Sequence, residues 1–102
     1  MADSKPVEAQ PEDAFWRLAD NFINHANSLA ANNDLGVVNA SFIFASARFN
    51  TFVIASQCGT KEAFETEKAA ALDYFVNQYK IALNEHMTEV QKNFDKYITP
   101  KA

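Results

Sequence analysis

Apolar and polar positions recur along most of this chain with a helical period. Phe15, Leu18, Ala19, Phe22, Ile23, Ala26, Leu29 and Ala30 fall three or four residues apart, while Arg17, Asn21, Asn24 and Ser28 fill the other face. That pattern predicts a first amphipathic helix from about Glu12 to Ala31, opened by Pro11-Glu12-Asp13, whose proline and acids suit a first turn. Asn32-Asn33-Asp34 reads as a short turn, with Asp34 placed to cap the second helix. From Leu35 to Gln57 the residues are apolar around most of a helical circumference, which predicts a central helix. Its polar residues recur at helical, not alternating, positions, so a strand is rejected. Cys58-Gly59-Thr60 supplies a glycine stop and a threonine N-cap, with Glu62 in the next first turn.

The third helix meets no Gly or Pro between Thr60 and Pro100 and reads as one continuous rod, with breakage of the helix as the alternative, striped by Leu72, Val76, Tyr79, Leu83, Met87, Val90, Phe94 and Tyr97. At ~1.5 Å per residue it would run roughly 55 Å, against about 30 to 35 Å for the first two. An up-down-up bundle has no partner for the stripe beyond about Leu83. Met87, Val90, Phe94 and Tyr97 are therefore the expected interface residues of a dimerisation or partner-binding arm. The expectation is an all-α, three-helix antiparallel bundle with a long C-terminal helix, dimeric through that helix. Residues 1–11 form a flexible lead-in, 12–99 one helical domain and 100–102 a tail.

Composition narrows the function classes. A chain of 102 residues, 48% hydrophobic, with nine Phe and only two Gly, carries enough core-forming residues for one domain without staples. A net charge of -4 opposes a phosphate-tracking surface, so no nucleic acid is expected as a partner. The single Cys58 excludes an intrachain disulfide and agrees with a reducing cytoplasm. The N-terminal dozen residues hold neither a basic nor an apolar region, so no export signal is read there. The stretch from Phe42 to Ala55 is broken by Ser46, Arg48, Asn50 and Thr51 and falls short of the roughly 20 apolar residues of a span, so no membrane segment is expected.

Arg48 is the most constrained position. At about 100° per residue Asn39, Ser46, Asn50 and Gln57 gather into a narrow polar stripe, and Arg48 points almost opposite, among Phe44, Phe52 and Ala55. A guanidinium facing a core needs a carboxylate; Asp20, Glu67 and Asp73 are the candidates, and Arg48→Ala would then cost on the order of 3 to 5 kcal/mol. The alternative is an aliphatic stem laid on apolar surface with its head in water.

Catalytic and metal chemistry find little support. His25 and His86 stand apart, Glu85 and Glu89 sit at the wrong offsets from His86 for a di-metal bundle site, and no phosphate loop or nucleophile motif is present. No metal, cofactor or catalytic residue is assigned. Cys58 lacks a neighbouring cation before Lys61 and reads as an inert thiol. Phe42, Phe44, Phe49 and Phe52 read as packing before they read as a ligand pocket.

Phe15-Trp16-Arg17-Leu18-Ala19-Asp20-Asn21-Phe22-Ile23, Ala45-Ser46-Ala47-Arg48-Phe49-Asn50-Thr51-Phe52-Val53 and Tyr74-Phe75-Val76-Asn77-Gln78-Tyr79 resemble a family of small bacterial proteins known only as a domain of unknown function, the 3144 family. The resemblance spans nearly all of the chain after the first dozen residues, implies a bacterial cytoplasmic protein and supplies no activity. The expected function is a non-catalytic protein-interaction or self-association module, with a homo-oligomer or another protein as partner. The alternative is a binder or enzyme for a small anionic ligand held by Arg48 in a pocket between helices.

Overall fold

The computed structural model describes residues 11–99. The expected lead-in and tail lie outside the described residues, except Pro11, which already belongs to a helix. The regular elements are α1 (Pro11–Ala30), α2 (Leu35–Cys58), α3 (Lys61–Lys92) and the short α4 (Phe94–Tyr97). The all-α expectation holds, and the first two helices begin and end within a residue of their predicted bounds. The chain divides into two units inside α2, between Arg48 and Phe49.

In the first unit the turn residues do the capping. The Asn33 side-chain amide donates to the Leu29 carbonyl at 2.8 Å, and the Asn32 N–H donates to the same carbonyl at 3.2 Å, so α1 ends with an otherwise orphaned acceptor satisfied. The Asp34 carboxylate then accepts from the Val37 N–H at 3.1 Å and its carbonyl from the Val38 N–H at 3.0 Å, which starts α2 as the sequence predicts.

In the second unit Gly59 turns the corner with φ 79°, a conformation that costs a residue with a Cβ, and its N–H donates to Ala55 at 3.0 Å. Thr60 is extended and its hydroxyl oxygen accepts from the Ala63 N–H at 3.1 Å, with Glu62 in the first turn of α3. Of the two readings of the third helix, one rod or a broken one, the structure has the broken one. α3 stops after 32 residues at Asn93, whose φ of -125° and ψ of 40° leave the helical range, and α4 packs back on its end. Asn is a poor helix former because its amide competes for backbone groups, and here it does so: Nδ2 reaches the Glu89 carbonyl at 3.4 Å.

Burial is slight among the described residues. None of their side chains is buried, and positions read as core are open, Phe22 at 62%, Phe44 at 63% and Phe52 at 64% exposure. Caps and periodicity act within a few residues and suffice to specify helices, whereas covering a stripe needs a second surface. The length argument against a membrane span also changes. At 24 residues α2 is long and apolar enough to cross a membrane by length and composition, since the helix gains Leu35 to Ser41 ahead of the stretch counted in the sequence.

Candidate functional site

The candidate surface is α2. Leu35, Val37, Ile43, Phe44, Phe49 and Phe52 are each more than half exposed, and no residue of this helix is buried. Its polar stripe of Asn39, Ser46 and Gln57 is exposed too, with Asn50 half-buried. Arg48 does not find the carboxylate expected of it. It is exposed, its guanidinium lies 5.2 Å from the centre of the Phe44 ring one turn earlier, and among the described residues it forms no ion pair. Stacking over a ring four residues away is what an arginine on an apolar helix does when its charge stays in water. The buried-pair reading, with its cost of several kcal/mol, is therefore withdrawn for the single chain.

The second unit holds a shallow notch of about 380 Å³ beneath the Gly59 corner, walled by Ile54, Cys58, Ala63, Glu67, Ala71 and Tyr74 together with Gln57. Arg48 is not among its walls, so the notch is not the anion pocket anticipated near that residue. Cys58 is half-buried there as a free thiol, with Glu67 as the charged residue of the lining. Among the described residues no three His, Cys, Asp or Glu side chains gather where a cation could be held.

The four expected interface residues lie at the end of α3 and in α4. Met87 is 62% exposed, Phe94 51% and Tyr97 48%, and Val90 is half-buried. Tyr97 is not simply the last rung of an apolar stripe. Its hydroxyl donates to the Glu89 carboxylate at 2.9 Å, to the same Oε2 that receives the Asn93 amide at 3.0 Å. The hydrogen bond to Glu89 holds the phenol above its ordinary pKa, with desolvation and the nearby negative charge adding to it. Counting hydrophobicity alone misses this clasp; its signal is the spacing of Glu89, Asn93 and Tyr97 at successive four-residue steps. At the other end of the chain Phe15 and Trp16 meet edge to face at 4.9 Å, and Trp16 remains 63% exposed.

The family model described as a protein of unknown function (DUF3144) matches residues 15–98. The chain belongs to that family. The match takes in α1 from Phe15 onward, all of α2, α3 and α4, and the three strings in which the resemblance is legible, so the DUF3144 domain is nearly the whole of this chain. No curated protein and no solved structure matches the chain. Membership in DUF3144 assigns no activity, and any functional reading has to rest on the exposed apolar helix and its charges.

Proposed function

We propose that this DUF3144 chain is a non-catalytic self-association module, a homodimer whose interior is built from helix faces that one chain leaves uncovered. The observation that carries the reading is the exposure of α2. Its six most open large apolar residues, spread around the helix, together present on the order of 800 Å² to solvent, about one partner's share of a standard interface. A second copy is the simplest surface of matching character. The exposed Met87, Phe94 and Tyr97 extend the available contact at the other end of the chain, beside Val90.

A bilayer is the competing home for such a helix, and its polar content argues against that. Arg48 sits near the middle of α2, more than two turns from either end, where a charged side chain costs about 2.5 to 3.5 kcal/mol on an insertion scale. The net charge of -4 and the lone cysteine support an acidic protein of a reducing, cytoplasmic setting. Light scattering of the full chain over a concentration series tests the reading: a mass near twice 11.4 kDa is expected. A monomer at every concentration, or a chain that floats with phosphatidylcholine–phosphatidylglycerol vesicles and is absent from the aqueous phase, overturns it.

Arg48 favours one second reading. A guanidinium with an aromatic floor and no carboxylate among the described residues is a place for a small anion. Phosphate and simple carboxylates would then raise the melting temperature, and Arg48→Met would abolish the rise; no shift with any anion removes the idea.

A further inference from the structure

The open apolar residues of α3, unlike those of α2, share one face. Leu72, Val76, Tyr79 and Leu83 follow one another at alternating four- and three-residue steps, the spacing of a coiled-coil seam, and Met87 carries the stripe one turn further. All five are exposed, and Leu72, Val76, Tyr79 and Met87 are each more than half so. The α3 residues that wall the notch, Ala63, Glu67, Ala71 and Tyr74, lie about 150° round the same helix, so the stripe is not the side that meets the end of α2. Charges border it in a definite order. Lys68 and Glu89 stand along one edge and Asp73 and Lys80 along the other, all exposed. Asp73 and Lys80 have no opposite charge three or four residues away on their own helix, so neither is placed to pair along it.

We infer that two copies of this chain pair through this face of α3, antiparallel, about a two-fold axis midway between residues 77 and 78. Leu72 of one copy then packs on Leu83 of the other, Val76 on Tyr79 and Ala69 on His86, and each layer occurs twice, as an isologous interface requires. In the same register Asp73 faces Lys80 across one edge of the seam and Lys68 faces Glu89 across the other. Opposite charges therefore meet at all four places. A slip of one heptad in either direction sets Asp73 against Asp73 or Lys80 against Lys80. A parallel pair sets His86 against His86 and leaves Lys80 beside Phe75 in place of a carboxylate. The charges thus select one direction and one register where apolar contact alone would permit several. The inference deepens the self-association reading and rests on it for the second copy. The residues it covers belong to α3, and the open side chains of α2 lie outside this seam and carry no part of it.

Charge exchange in the full chain tests the direction and the register. Asp73→Lys alone sets Lys against Lys at two places in the seam, and Lys80→Asp alone sets Asp against Asp. Each is expected to weaken the dimer by roughly tenfold, read by light scattering over a concentration series, with far-UV circular dichroism unchanged. Mixed in equal amounts, the two variants restore Asp facing Lys at both places and should form a heterodimer at the concentrations where the parent is dimeric. A second measurement is independent of charge. On a Cys58→Ser background, Ala69→Cys and His86→Cys chains should form little disulfide alone, because like positions in the pair lie about 25 Å apart along the axis, and should give a covalent heterodimer when mixed and mildly oxidised. Single charge variants that pair as tightly as a dimeric parent, or cysteine chains that cross-link as well alone as mixed, overturn the inference while leaving self-association standing. A parent that is monomeric at every concentration ends both.

Discussion

The corner between α2 and α3 permits a prediction in which one substitution has opposite signs at two positions. Gly59 has φ 79°, and a Cβ built there meets no atom within 4 Å. Gly59→Ala therefore introduces no clash, and its cost is only the backbone penalty for a left-handed L-residue, about 1 to 2 kcal/mol. Gly36 lies in the first turn of α2, where alanine is favoured over glycine by about 0.5 to 1 kcal/mol. A Cβ there comes within 3.2 Å of the Asp34 carboxylate oxygen, the far end of a side chain that shifts by a few tenths of an ångström at some loss to the cap. Gly36→Ala should accordingly be neutral to stabilising. For a chain of this size about 1 kcal/mol moves the melting temperature by roughly 4 to 8 °C. The two variants should therefore separate clearly in far-UV circular dichroism melts at one fixed protein concentration, since association makes the midpoint concentration-dependent. Gly59→Asn should lie between Gly59→Ala and the parent, because Asn tolerates the left-handed region. A Gly59→Ala chain as stable as the parent, or a Gly36→Ala chain less stable than Gly59→Ala, would refute the reasoning.

Other expectations rest on named contacts. Asp34→Ala and Thr60→Ala each remove a side-chain acceptor from a helix start, and each should cost about 1 kcal/mol in equilibrium urea melts, with Asp34→Asn nearly neutral. Arg48→Ala should cost only about 0.5 to 1 kcal/mol, the worth of an exposed cation–aromatic contact; a loss of several kcal/mol would mean that Arg48 acquires a buried carboxylate on assembly. Tyr97 should ionise above its ordinary value of 10.0, seen as tyrosinate absorbance in a pH titration, and Glu89→Gln should lower that midpoint. Because the folded pKa is raised, the clasp's contribution is complete below pH 10.0 and is lost as pH climbs through the raised value. An unchanged titration in Glu89→Gln would remove Glu89 as the cause.

Local chemistry was legible in the residues alone, and its reach explains what was not. Asp34 as a cap, Gly59 as a stop and Thr60 as a start are decided by hydrogen bonds and backbone sterics within four residues, so composition was enough to place them. The same locality made the interruption at Asn93 readable in principle, although an apolar stripe running on to Phe94 and Tyr97 outweighed one amide in the pattern. Periodicity says which face of a helix is apolar and is silent on what meets it. It could not show that Arg48 would lie over Phe44 with no carboxylate, that the Tyr97 hydroxyl would turn back to Glu89, or that Phe22, Phe44 and Phe52 would stay open to solvent. Those outcomes depend on where separate surfaces come to rest in space, because an ion pair or a buried ring requires its partner within a few ångströms, and only the tertiary structure supplies that placement.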